Sequence, residues 1–202
     1  NAKSSVNIYL ININYACAIA ATYFIFEPQI NFNNIPFEIV IPLSFLLPGI
    51  FWLLTFAIKN NGIIKTDIAQ RISLIIPAIC SFWLFQEEFS WIKILAIVVG
   101  LSAMYFILNT HLADKKSNPI YLLFVFLGFG IIDVLFKLTA LNTQIAYTTT
   151  LFYIFCGSFL VSGIFSIILK NKEKQSINTE FIFSGILLGI LNFMNIYFYM
   201  KA

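Results

Sequence analysis

Charge is what this chain has least of. Lys, Arg, Asp and Glu together make up 10% of its 202 residues, against about 25% in a typical soluble domain. With 60% apolar residues and a mean hydropathy of +0.89, so short a chain has too little polar surface to cover itself in water. It holds one histidine, His111, in a polar connection, and three cysteines, Cys17, Cys80 and Cys156, each inside an apolar run and far from the others. That spacing suits neither a metal site nor a disulfide framework, and the thiols read as small apolar filler. HExxH, GxSxG and glycine-rich phosphate motifs are missing. Lysines are scattered over several loops instead of forming the stripe a nucleic acid needs. The expectation is a protein without enzymatic activity, cofactor, metal or nucleic-acid partner.

What is present is a succession of long apolar runs. A bilayer core takes about 20 apolar residues per helix, and seven runs approach that length: Val6–Phe26, Ile39–Ile58, Ile68–Phe85, Trp91–Leu108, Ile120–Leu141, Ile145–Leu169 and Phe181–Met200. In lipid the backbone must satisfy its own hydrogen bonds, so each is expected to be helical. The first run contains Asn7, Asn12 and Asn14 with no small-residue cleavage site behind it, so it does not read as a signal peptide. The predicted class is an all-α polytopic membrane protein. Alternating the loops puts Lys3, Lys59, Lys65, Lys115, Lys116, Lys170, Lys172, Lys174 and Arg71 toward one side, against Lys93 and Lys201 on the other, with Lys137 inside a span. Nine basic residues against two put the first side in the cytoplasm.

An internal repeat accompanies this pattern. Shifted by 139 residues, the run from Val6 falls on the run from Ile145, with Cys17 on Cys156; shifted by 140, Leu47–Ile50 falls on Leu187–Ile190. The paired runs are five spans apart. Five is odd, so the two copies have opposite orientation, as in many secondary transporters. A unit of five spans implies an intact protein of ten helices and about 280 residues. The chain, opening on Asn1 and stopping at Ala202 directly after an apolar run, is then expected to hold most of the first unit (residues 1–108, its helices two to five) and the start of the second (residues 119–202).

Ionisable groups inside a span are costly and mark function by default. Asp133 and Lys137 lie four residues apart in the fifth run, acid first, on one helix face; Asp67 and Arg71 repeat that spacing at the start of the third. Each pair reads either as a self-neutralised tie or as part of a site. Uncharged polar residues gather on several spans: Asn12 and Asn14, Trp52 and Thr55, Gln70 and Ser73, Thr148–Thr150 with Tyr153, and Asn192 with Asn195. Singly they suit interhelical hydrogen bonds; as a set they suit a polar lumen for a small amphipathic solute. Pro77 removes a backbone donor in the third run and predicts a kink or a gating joint. Gly185 and Gly189 form a GxxxG, expected to allow close helix packing.

The stretch around residues 69–106 resembles the EamA-type half of the drug/metabolite transporter superfamily. In that family a span with Ser and Pro ends in a short turn bearing Glu, followed by Ser or Thr and a second apolar span with spaced small residues. Here the matching positions are Ser73, Pro77, Glu87, Ser90, Ala96 and Gly100, with Ala96 standing where Gly is frequent. The resemblance implies ten helices in two inverted five-helix units and a carrier with a central cavity and alternating access. It further implies a small-molecule substrate and either passive transport or coupling to protons or another ion, and the reading adopted for this chain is efflux. Trp52, Gln70, Arg71, Asp133, Lys137, Asn192 and Asn195 then become substrate-binding candidates, with Pro77 and Glu87 as gating or structural positions. Many members are drawn with the N-terminus inside, which would put Lys3 outside; the lysines of this chain favour the opposite. The expected location is the inner membrane of a bacterium. Readings of another class are a membrane-embedded enzyme, which needs a clustered nucleophile or metal set, and a non-transporting membrane scaffold.

Overall fold

The computed structural model describes residues 2–30, 35–83, 90–92, 94–95, 97–100, 102, 118–141, 145–170 and 179–201. Among these residues there is no strand. The helices are α1 (Ala2–Phe26), α2 (Phe37–Asn61), α3 (Ile63–Ile72), α4 (Ile75–Trp83), α5 (Pro119–Leu141), α6 (Tyr147–Lys170) and α7 (Thr179–Lys201). Four stretches are long and apolar enough to cross a membrane: Tyr9–Phe26, Phe37–Asn61, Pro119–Leu141 and Tyr147–Ile168; a shorter one, Ile182–Phe198, lies in α7. Phe24, Phe45, Leu160 and Phe183 are all more than half exposed. Large apolar side chains turned outward on helices of this length suit lipid, and mark a membrane protein. Described positions between 91 and 102 are helical too. Glu87, Ala96, His111 and the rest of the run to Leu108 lie outside the described residues, as do the charged connections at 109–117 and 171–178.

The chain forms two compact units, Asn1–Trp52 with Leu135–Ala202, and Leu53–Val134. In the first, α1 packs along both α6 and α7. Asn12 meets Ser162 and Tyr23 meets Phe152, so α1 and α6 run antiparallel. Gly185 faces Leu10 and Ile13, and Gly189 faces Asn14 and Cys17, so α1 and α7 run parallel. Close approach depends on glycine here: a β-carbon on Gly189 would lie 2.6 Å from the Asn14 carbonyl oxygen and 2.7 Å from Cys17 Cβ. On α6, a β-carbon on Gly157 would lie 2.7 Å from Ser44 Cβ, which brings α2 against this helix. Ring contacts add α2 to α1, Tyr15 with Phe51, and α7 to α6, Tyr147 with Tyr197, so α2 and α7 each touch both members of the α1–α6 pair. Exchanging α1 with α6 and α2 with α7 leaves that pattern unchanged.

In the second unit, the expected single span Ile68–Phe85 is two helices, α3 and α4, broken at Ser73 and Leu74. The cause lies four residues downstream. Pro77 has no N–H for the Ser73 carbonyl, and its ring crowds that oxygen. Ser73 O accepts instead from Ile76 N at 2.9 Å, and Leu74 N donates to Arg71 O at 3.2 Å, both three-residue steps. The Ser73 hydroxyl donates back to Gln70 O, a bond that bends helices. Pro77 then sits in the first turn of a new helix, where proline is tolerated. The same spacing occurs in α2, with Ser44 four residues before Pro48, yet α2 continues through it. There the intervening residues are Phe45, Leu46 and Leu47; in the broken case they include β-branched Ile75 and Ile76, which favour helix less. Ile76 is also held from outside, because it fills the notch left by Gly130 of α5, where a β-carbon would lie 2.8 Å from Ile76 Cβ.

α2 and α3 are joined by a one-residue turn at Gly62. Gly62 adopts φ 82°, a left-handed conformation that side chains disfavour. Its carbonyl accepts from the buried Thr66, from the hydroxyl at 2.8 Å and the backbone N–H at 3.3 Å, which starts α3.

Candidate functional site

Hydroxyls in an apolar bundle usually return their proton to their own helix. Thr22 donates to Ala18 O at 2.7 Å, Thr139 to Leu135 O at 2.9 Å, and Ser166 to Ser162 O at 2.8 Å. Such groups need nothing further. The first unit also contains polar atoms that lack any partner. Asn14 is fully buried with both amide atoms unpaired; Tyr15 is fully buried with its hydroxyl unpaired. Ser44, Thr150 and Ser158 are buried with unpaired hydroxyls, and Asn192 has an unpaired, buried Nδ2. Each such atom costs about 1–3 kcal/mol in an apolar setting. A bundle selected for stability alone would replace them with apolar side chains.

Four of these residues share a level, whereas Ser44 and Thr150 lie about 8 and 11 Å from the midpoints of their spans. Measured along each helix axis, Asn14 and Tyr15 lie about 5 and 4 Å from the midpoint of Tyr9–Phe26, Ser158 about 1 Å from that of Tyr147–Ile168, and Asn192 about 3 Å from that of Ile182–Phe198. The α1–α6 register set by Asn12 with Ser162 and Tyr23 with Phe152 puts Ser158 level with residues 16 and 17. Asn192 is one turn beyond Gly189, the glycine that meets Asn14. Aromatic rings border the set: Tyr15 stands edge-on to Phe51 at 6.3 Å and tilted against Phe155 at 6.4 Å. No charged side chain is buried among the described residues of either unit.

A groove of about 420 Å³ runs between α1 and α6, lined by Tyr9, Asn12, Phe159, Leu160, Gly163, Ile164, Ser166 and Ile167. At its edge Ser162 donates to Asn12 Oδ1 at 3.0 Å, the hydrogen bond that ties the two helices together.

The sequence candidates divide between the units. Trp52, Lys137, Asn192 and Asn195 belong to the first. Trp52 is 46% exposed, Lys137 half-buried, Asn192 half-buried and Asn195 exposed. Gln70, Arg71, Pro77 and Asp133 belong to the second. Arg71 donates from Nε to Asp67 Oδ2 at 2.8 Å, with the two side chains 63% and 49% exposed. Gln70 and Asp133 are half-buried, and Pro77 is buried beside the α3–α4 break. Asp133 follows Gly130, the seat of Ile76, by one turn. Asn12, Asn14, Thr149, Thr150 and Tyr153, which sequence marks only as a polar set, all belong to the first unit. Ser44 and Ser158 escape a reading of the sequence because a lone serine in an apolar run normally bonds to its own helix. Their one available signal is the neighbouring small or helix-breaking residue, Pro48 four positions after Ser44 and Gly157 before Ser158.

No family model matches the chain, and no solved structure matches it. It is 33% identical over 206 aligned residues to an uncharacterized protein of Haemophilus influenzae, an alignment that covers 95% of this chain and 68% of that protein.

Proposed function

We propose that this chain, which belongs to the family of the uncharacterized Haemophilus influenzae protein, is part of a secondary carrier that moves a small metabolite or amphipathic compound across a bacterial inner membrane. The observation that supports this reading is the arrangement of the repeat mates. The α1 and α6 segments, 139 residues apart in register, run antiparallel and pack together, with α2 and α7 each touching both. An inverted repeat with polar groups near mid-depth is the plan on which alternating access works, since rocking one copy against the other exposes a fixed site to each side in turn.

On this reading the intact protein is an EamA-type member of the drug/metabolite transporter superfamily, with ten helices in two units of five. Efflux is the favoured direction. Trp52, Asn192 and Asn195 contact solute, Arg71 and Gln70 act on an approaching solute at the cytoplasmic end of α3, and Asp133 with Lys137 supply a polar, proton-sensitive element for ion coupling. The α3–α4 break supplies a joint at Ser73 and Leu74, one turn before Pro77. The test compares the metabolites released by cells with and without the intact gene, followed by uptake of the changed compound into vesicles under set pH gradients. A solute that moves only with the protein supports a carrier. Loss of proton dependence in Asp133→Asn supports its coupling role, and unchanged transport in both Asp133→Asn and Lys137→Ala removes that role. A membrane-inserted protein that moves no solute points to a scaffold.

A further inference from the structure

We propose that Tyr147 and Tyr197, backed by Phe26 and Phe193, form a strap that closes one end of the first unit and has to part during the transport cycle. This deepens the carrier reading and rests on it for the claim that parting serves transport. α1 packs along both α6 and α7. Where α1 ends, α6 begins and α7 ends, rings of all three helices meet at Tyr197. Its ring centroid lies 4.8 Å from that of Phe26 and 6.2 Å from those of Tyr147 and Phe193, and Phe26 meets Phe193 at 5.9 Å. A hydrogen bond between the Tyr147 and Tyr197 side chains bridges α6 to α7. Phe193 is buried and the other three are half-buried. On the orientation that the lysine distribution predicts, this end faces away from the cytoplasm.

Tyrosines at a membrane boundary ordinarily turn outward to the lipid headgroups. Here the rings turn toward one another and tie three helices together. The side chains suit a surface that is dry when shut and wet when open, since a tyrosine has an apolar body and a polar tip. Two phenols that release each other can each take water as donor and acceptor, so opening strands neither hydroxyl. Aromatic pairs also tolerate several offset and tilted arrangements, which lets them part and meet again without a single locked geometry. Thr150 lies one turn inside Tyr147 on α6. It is buried and its hydroxyl has no partner. That hydroxyl carries a desolvation cost while the end is shut, and the cost is lifted when the strap parts and water reaches it.

The experiment uses the full-length protein with its native cysteines changed to serine, in proteoliposomes. Thr150→Cys is titrated with a small cationic methanethiosulfonate reagent. It is expected to react slowly but to completion, as the strap opens. Adding Tyr197→Ala should raise that rate at least tenfold, and adding Tyr147→Phe, which removes only the hydrogen bond, about threefold. No reaction of Thr150→Cys before denaturation, or an unchanged rate with Tyr197→Ala, overturns the proposal; a monodisperse elution profile and full reaction after denaturation show that each variant is intact. A second protein carries Phe26→Cys with Tyr197→Cys, joined by a short bis-methanethiosulfonate linker that dithiothreitol removes. Joining should lower solute flux at least tenfold and reduction should restore it, while a monofunctional reagent on Phe26→Cys alone should leave flux unchanged. A cluster with a purely structural role would not respond to the linker. The two readings fail separately. If solute is carried at the full rate with the linker in place, the carrier stands and the strap falls. If no solute is carried by the parent but Thr150→Cys reacts as described, the strap stands as an opening joint and the carrier falls.

Discussion

Gly62, Gly189 and Gly49 show how differently single positions in one bundle constrain the side chain. Gly62 holds a left-handed φ of 82° at the α2–α3 turn, so Gly62→Ala should cost about 1–2 kcal/mol for conformation alone. Gly189 has an ordinary helical backbone but presses on the Asn14 carbonyl and Cys17; Gly189→Val should cost about 1–3 kcal/mol or more through overpacking. A β-carbon on Gly49 would meet nothing within 4 Å, and Gly49→Ala should stay within about 0.5 kcal/mol of the parent. Thermal unfolding of the three purified variants in one detergent checks the ranking. The Asp67–Arg71 pair belongs with the tolerant group. Both side chains are largely exposed, so Arg71→Met should change stability by less than about 1 kcal/mol, and any larger effect on transport would report a role toward solute.

At the scale of the element, the broken third span carries the most information. Pro77→Ala restores a donor for the Ser73 carbonyl and should join α3 to α4. Hydrogen exchange across residues 71–79 should then slow by about tenfold, equivalent to about 1.4 kcal/mol of added protection. Pro48→Ala should alter exchange in α2 far less, because that helix is already continuous. The ends of the long helices are legible in the apolar runs: Ile120–Leu141 is expected and Pro119–Leu141 is found, Phe181–Met200 is expected and Thr179–Lys201 is found. Hydropathy cannot reveal the break, since Ser73 to Pro77 is as apolar as its flanks, and proline alone does not decide it, as Pro48 proves. The broken span differs from α2 in joining Pro77 to β-branched Ile75 and Ile76, and Ile76 is also held in the notch of Gly130. The GxxxG of α7 is legible as a close-packing motif, but its partner is not; only the fold assigns it to Leu10, Ile13, Asn14 and Cys17 of α1. Likewise sequence marks Asn14 and Asn192 as polar, but not that their amide atoms are left without partners.

At the scale of the whole molecule, sidedness and the inverted repeat make the strongest commitments. On the orientation that the lysine distribution predicts, residues 171–178 belong to a cytoplasmic connection, so Lys172→Cys should escape an impermeant thiol reagent added to intact cells and react once the membrane is opened. Reaction from outside would reverse the orientation of every span. The central claim is carriage, and solute flux tests it most directly. The full-length protein, reconstituted in vesicles, is given the compounds whose release from cells changes when the gene is removed. The account predicts that at least one small solute equilibrates into protein-containing vesicles at least tenfold faster than into empty ones. Equal flux with and without correctly inserted protein, for every compound that responds to the gene, would contradict it.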